Sequence, residues 1–94
     1  MSRKVRVNTF LVNYQLNGPS SAYDDLNRFL LAQDDYAHAL GEAWFFKSKL
    51  SAPQLAAQLR ARMGAADSLV VTTVSGTPVV HNVEPEVEAW LQFN

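Results

Sequence analysis

The stretch Thr9-Phe10-Leu11-Val12-Asn13-Tyr14-Gln15-Leu16-Asn17 decides how this chain folds. Large apolar side chains alternate in it with polar ones, the pattern of a β-strand that buries one face. A strand is therefore predicted over residues 5–17, ended by the breaker run Gly18-Pro19-Ser20-Ser21. The face expected in the core carries Phe10, Val12, Tyr14 and Leu16. The face expected to lie open carries Thr9, Leu11, Asn13, Gln15 and Asn17.

Two helices are predicted from capping residues and helical spacing. Ser21 is expected to be the N-cap of a helix that runs to about residue 33 and has apolar residues at Tyr23, Leu26, Phe29 and Leu30. Ser51 and Gln54 match a capping box, with Pro53 in the first turn of a second helix. Gly64 is expected to end that helix as a left-handed cap.

Three further segments match strands and complete the fold prediction. Residues 36–40 and 43–50 indicate a hairpin around Gly41-Glu42, and residues 67–75 indicate a buried strand. The resulting order βαββαβ predicts an α+β, ferredoxin-like sandwich, with a four-stranded antiparallel sheet in the order 4-1-3-2 and two helices on one face. Residues 1–94 are predicted to be one domain with a core at 5–75 and a tail at 76–94. The tail is expected to add a short edge strand at 79–81 and a helical turn or two at 85–91.

Composition limits the classes of protein to which the chain can belong. A chain of 94 residues buries only about 60–65% of its unfolded surface, so we expect modest stability alone and a gain from pairing. It has no cysteine, which excludes disulfides and thiolate metal sites. No signal-peptide core and no membrane-spanning apolar run is present, so a cytoplasmic protein without membrane contact is expected. The net charge of −1 does not by itself indicate a nucleic-acid binder.

Three short motifs match the pattern of one family: Phe10-Leu11-Val12-Asn13-Tyr14-Gln15-Leu16-Asn17 with Pro19 and Tyr23-Asp24-Asp25-Leu26, then Trp44-Phe45-Phe46-Lys47-Ser48, and Asp67-Ser68-Leu69-Val70-Val71. In these motifs, over residues 9–75, the chain resembles the CRISPR-associated protein-two (Cas-two) superfamily, and most of all its stand-alone VapD-like and SinR-like members. The resemblance implies a ferredoxin-like homodimer that cleaves RNA or DNA with a metal in some members and is architectural in others. The family's metal-binding aspartate aligns with Gln15, a departure that argues against catalysis.

Candidates for chemistry gather where the first strand ends. Asn13, Gln15 and Asn17 are the candidate catalytic positions, and Asp67 and Glu42 are the candidate Mg²⁺ ligands, which the topology brings to the same end of the sheet. The alternative is that Asp67 is a turn residue and that the amides line a polar interface. A cofactor is therefore expected only if the chain is a metal-dependent nuclease whose ligands have moved from strand one.

Basic residues are predicted to collect at the opposite edge of the sheet. Strand one begins where strand three ends, which brings together Arg3, Lys4, Arg6, Lys47 and Lys49. Such a cluster can bind a phosphate backbone, or it can be a solvated strand end that blocks aggregation.

The open sheet face and the tail together predict a dimer interface. Apolar residues without an evident place in the core are Leu11, Val79, Val80, Trp90, Leu91 and Phe93. Burial against a second copy would cover them, and two-fold pairing is the commonest arrangement. The function expected is a homodimeric, catalytically degenerate binding or architectural module, with nucleic acid as a candidate partner. The rival functions are a metal-dependent endonuclease and a small-molecule sensor.

Overall fold

The computed structural model describes residues 7–33 and 35–93 and has the predicted α+β architecture. In that part of the chain, four strands and three helices follow one another as β1 (Asn8–Gln15), α1 (Asp24–Leu31), β2 (Tyr36–Leu40), β3 (Ala43–Ser48), α2 (Ala52–Arg60), β4 (Ser68–Val74) and α3 (Pro85–Phe93). The strands form one antiparallel sheet in the order β2-β3-β1-β4. This is the predicted order 4-1-3-2 read from the other edge, so the ferredoxin-like prediction is confirmed.

The first strand is the centre of the sheet. Val12 lies opposite Trp44 on β3 and opposite Val71 on β4, so β1 is paired along both edges. Phe10, Val12 and Tyr14 are buried beneath α1 and α2, as the alternation predicted. The buried members of this main core are Phe10, Val12, Tyr14, Tyr23, Leu26, Leu30, Trp44, Phe46, Leu55 and Leu59.

The C-terminal helix covers part of the opposite sheet face. Val87 and Leu91 of α3 are buried against Ala37 and Phe45, on the face that the sequence predicted to be open. The indole N–H of Trp90 donates to the carboxylate of Asp35 and fixes this helix beside β2. The tail is therefore a second layer over β2 and β3, and this half of the face is covered by the chain's own helix, where the sequence predicted burial of tail residues against a second copy.

Local details of the tail and the helices differ from prediction at three points. Residues 79–81 are not a strand, because this segment crosses the sheet face as a loop on its way to α3. Ser21 does not cap α1: a 3-10 turn over Ser20–Tyr23 precedes the helix and turns the ring of Tyr23 into the core. Gly64 has no left-handed φ, since α2 already ends at Arg60 with a right-handed cap residue.

The capping box of the second helix is confirmed. The Ser51 hydroxyl accepts from the amide of Gln54 at 3.2 Å, and the Gln54 side chain accepts from the amide of Ser51 at 2.9 Å. Pro53 lies in the first turn, where its missing N–H would have had no partner within the helix. This start positions Leu55 and Leu59 for burial one helical turn apart.

Candidate functional site

The end of β1 lies between two loops, each of which carries a carboxylate. On one side Asn13 pairs with Ala43, directly after the β2–β3 turn that contains Glu42. On the other side Gln15 pairs with Ser68, directly after Asp67. The topology therefore brings the candidate residues to one end of the sheet, as predicted.

Glu42 is bound to the backbone of the chain that leaves β1. One oxygen of its carboxylate accepts from the amide of Leu16 at 3.1 Å. Its own carbonyl accepts from the amide of Tyr14 at 3.1 Å, which extends the β1–β3 pairing into the turn. Glu42 thus satisfies backbone donors at the end of the strand.

Asp67 accepts three hydrogen bonds from three separate segments. Its Oδ1 accepts from the amide of Asn17 at 2.7 Å and from the hydroxyl of Tyr23 at 2.8 Å, and its Oδ2 accepts from the amide of Gly64 at 2.7 Å. The two backbone hydrogen bonds, from Asn17 and then Gly64, lower the pKa of Asp67, and the hydroxyl of Tyr23 adds to this. The carboxylate is ionised at neutral pH and serves as a junction between β1, the 3-10 turn and the α2–β4 loop.

The hydroxyl of Tyr23 completes this network. It donates to Asp67 and accepts from the amide of Gly18 at 2.7 Å. Burial, followed by the hydrogen bond to the Asp67 carboxylate, raises the pKa of Tyr23. The side-chain amide of Asn17 donates to the carbonyl of Ala66 at 2.7 Å. We name Asn17, Gly18, Tyr23, Gly64 and Asp67 the Asp67 junction.

Sequence reasoning missed the role of Tyr23, which was assigned only to the apolar face of a helix. The ring of Tyr23 does belong to the main core, as its apolar spacing predicted. That spacing gives no indication that the hydroxyl of Tyr23 binds Asp67. Gly18 is tied to the same atom: a Cβ there would lie 2.8 Å from the hydroxyl oxygen of Tyr23. The run Asn17-Gly18 therefore needs a glycine for this close approach.

A cavity of about 400 Å³ opens at the end of β1, between the β2–β3 turn and the start of β4. It is lined by exposed amides and a hydroxyl from two strands, together with the turn carboxylate: Asn13, Gln15, Ser68 and Glu42, with Tyr14, Leu69 and Val70. Asn17 is not part of this lining, because its side chain is bound to Ala66.

The donor set at this cavity does not fit Mg²⁺. The ion prefers an octahedral shell that includes one or more anionic oxygens, and Gln15 supplies a neutral amide where a carboxylate would be needed. Asp67 does not line this cavity, and both of its oxygens already accept hydrogen bonds, as does one oxygen of Glu42. In the described part of the chain, no three His, Cys, Asp or Glu side chains lie close enough together to hold a metal ion.

Two of the five predicted basic residues can be placed. Lys47 and Lys49 line a second cavity of about 430 Å³, together with Phe29, Gln33, Asp35 and Gln58. The amide of Lys47 donates to the carbonyl of Asp35 at 3.0 Å, which holds the end of β3 beside the residue that binds Trp90. Arg3, Lys4 and Arg6 lie outside the described residues.

The predicted interface residues fall into two groups. Leu11, Val80, Trp90 and Leu91 belong to or pack against the cluster beneath α3, within the same chain. Val79 is 98% exposed, and Val70 on β4, which the sequence did not single out, is 60% exposed. The side chain of Phe93 lies outside the described residues. The large apolar side chains that stay exposed in the described part of the chain are therefore Val7, Leu31, Leu40, Val70 and Val79, and none of them lies on α3.

Comparisons with known proteins found no relative of this chain. The chain matches no protein-family model, no curated protein and no solved structure. Among the residues that the structure describes, no helix combines the length and the apolar character needed to cross a bilayer.

Proposed function

We propose that the chain is a homodimeric, non-catalytic binding module of the cytoplasm, similar in kind to the architectural members of the Cas-two superfamily, and that its partner is nucleic acid. The observation that supports the non-catalytic part is the use of both candidate carboxylates. Asp67 and Glu42 receive backbone amides of the consecutive residues Asn17 and Leu16, so each stabilises the end of β1.

The physical argument rests on charge. A divalent ion that activates water for phosphodiester cleavage needs anionic ligands to offset the loss of its hydration shell. Releasing Asp67 for such a role would leave the amides of Asn17 and Gly64 without their acceptor. Gln15 adds no charge to compensate. The site is therefore better suited to structure and to polar contact than to metal chemistry.

The nucleic-acid part of the proposal is supported by the cavity beside Lys47 and Lys49. Lys47 and Lys49 supply positive charge for phosphate contacts, and Gln33 and Gln58 in the same lining supply hydrogen-bonding groups. The carboxylate of Asp35, which also lines this cavity, accepts from the indole N–H of Trp90. The first residues of β1 pair with the end of β3, where Asn8 lies opposite Ser48. The three remaining basic residues, Arg3, Lys4 and Arg6, come directly before β1 in the sequence.

Cleavage is tested with single- and double-stranded RNA and DNA in the presence of Mg²⁺ or Mn²⁺, from neutral to alkaline pH. We expect no cleavage by the parent chain. Cleavage that is lost in an Asp67→Ala variant that remains folded would overturn the proposal and favour the metal-dependent endonuclease.

Binding is tested by fluorescence anisotropy with labelled single- and double-stranded oligonucleotides. Lys47→Gln combined with Lys49→Gln should remove most of the affinity and reduce the dependence of binding on salt. The matched control removes two exposed arginines from the helices, Arg28→Gln with Arg60→Gln, and should retain binding. No binding by the parent chain, or equal losses in both double variants, would contradict a specific basic site.

A further inference from the structure

Asn17-Gly18 is the only asparagine–glycine pair in the chain. Asparagine is a chemically labile residue, and a following glycine leaves the backbone nitrogen least hindered. In deamidation, the backbone nitrogen of the following residue attacks the side-chain carbonyl carbon and expels ammonia, forming a succinimide. Water then opens this ring to aspartate or isoaspartate, so that one water is consumed and one ammonia released.

Both the attacking and the leaving nitrogen of this reaction are held in hydrogen bonds at the Asp67 junction. The attacking nitrogen, that of Gly18, donates its proton to the hydroxyl oxygen of Tyr23 at 2.7 Å. The leaving amide nitrogen of Asn17 donates to the carbonyl of Ala66 at 2.7 Å. The backbone amide of Asn17 is held by Asp67, also at 2.7 Å. Attack requires the Asn17 side chain to leave Ala66 and the Gly18 nitrogen to lose its acceptor.

We propose that Asn17 is a latent deamidation site that the Asp67 junction keeps unreactive in the folded chain. The reaction then proceeds only when the end of β1 opens locally, so its rate reports that opening. The inference is independent of the proposed function, because it uses only the structural contacts of the junction.

The product cannot restore the junction. A carboxylate at position 17 has no proton to donate to the carbonyl of Ala66, and it adds a negative charge next to Asp67. Isoaspartate also lengthens the backbone by one methylene group at the point where Gly18 meets Tyr23. Deamidation is therefore a one-way loosening of the connection between β1 and the α2–β4 loop.

The test is a time course of the full chain at physiological temperature and mildly alkaline pH, followed by peptide mapping that separates aspartate from isoaspartate at position 17. The unmutated chain should deamidate at least about tenfold more slowly in buffer than in concentrated urea. Equal rates at position 17 in buffer and in urea would overturn the proposal without the use of any variant.

A variant that lacks one oxygen atom then tests whether the hydroxyl of Tyr23 slows the deamidation of Asn17. Tyr23→Phe removes the acceptor of the Gly18 amide and keeps the ring, so deamidation of Asn17 in buffer should accelerate about fivefold. Tyr36→Phe, a tyrosine outside the junction, is the control and should leave the rate unchanged. A folded Tyr23→Phe chain, judged by near-ultraviolet circular dichroism, that deamidates at the parent rate would contradict the proposal. The other asparagines in the same digest serve as internal controls.

Discussion

The indole N–H of Trp44 donates to the hydroxyl oxygen of Tyr14 across 3.0 Å, which links β3 to β1 inside the main core. Both residues are buried, Trp44 at 5% and Tyr14 at 8% exposure. Burial raises the pKa of Tyr14, so the hydroxyl stays protonated at neutral pH. The main core therefore contains a polar contact that the alternation of β1 could not reveal.

Replacement of Tyr14 by phenylalanine should leave the buried indole N–H without an acceptor. We expect the free energy of unfolding to fall by about 1–3 kcal/mol. Urea denaturation of the variant measures this loss. Tyr36→Phe changes a half-buried tyrosine on the edge strand and should cost less than about 0.5 kcal/mol. Equal losses in the two variants would show that the hydrogen bond is not the cause.

Acid should weaken the Asp67 junction. Because the folded state lowers the pKa of Asp67, its ionised form stabilises the fold above the ordinary value of 3.8, and this contribution is lost as pH falls through the folded value. In the Asp67→Asn variant the Tm should be lower at neutral pH and should fall less between neutral pH and about pH 2. Asp24→Asn, at the exposed start of α1, is the control. The prediction would be contradicted if the Tm of the Asp67→Asn variant fell with acid as much as the Tm of the parent chain.

Gly76 has a backbone φ of +78°, the left-handed region that side chains with a Cβ disfavour. A Cβ there would meet no atom within 4 Å, so Gly76→Ala should cost only the backbone strain, about 1–2 kcal/mol. Gly41 has the same open surroundings without a left-handed φ, and Gly41→Ala should change stability by less than about 0.5 kcal/mol. Thermal denaturation compares the two variants, and similar effects would contradict the argument.

The C-terminal helix should stabilise the chain that carries it. Leu91 is 6% exposed in the cluster beneath α3, so Leu91→Ala should lower the free energy of unfolding by about 2–5 kcal/mol. Val79→Ala, at a residue 98% exposed, should cost little. The loss at Leu91 should be the same at all protein concentrations. A loss that grows on dilution would instead assign Leu91 to contact with a second copy.

The proposed dimer should depend on the exposed valines rather than on α3. Val70→Lys with Val79→Lys should shift the sedimentation velocity profile of the protein from dimer towards monomer, with an unchanged circular dichroism spectrum. Sedimentation of the parent chain as a monomer at tens of micromolar, a usual range for weak dimers, would contradict the homodimer itself.

The order of elements was predictable because each signal is local. The alternation around Phe10 and Val12 and the capping box at Ser51 depend on residues a few positions apart, and both are present in the structure. The place of α3 was not predictable in this way. Val87 and Leu91 have the right helical spacing, but nothing in that spacing says that the helix returns to Phe45, far back in the chain.

The candidate site was predictable in position but not in role. The topology correctly brought Glu42 and Asp67 to the end of β1. Their partners are backbone amides, which every sequence contains and no sequence pattern marks. The apolar spacing of Tyr23 likewise concealed the hydrogen bonds of its hydroxyl to Asp67 and Gly18.

Because α3 covers only one half of the sheet, we expect amide hydrogens in the two halves to exchange with water at different rates. β3 is paired on both edges and layered on both faces, and three successive residues in it, Trp44, Phe45 and Phe46, are buried. β4 is paired only with β1 and leaves Val70 in solvent. Amide hydrogens of β3 should then exchange with water only on global unfolding, whereas those of β4 exchange through smaller, cheaper openings. We therefore expect β3 to be among the slowest strands to exchange and β4 to exchange faster than β3.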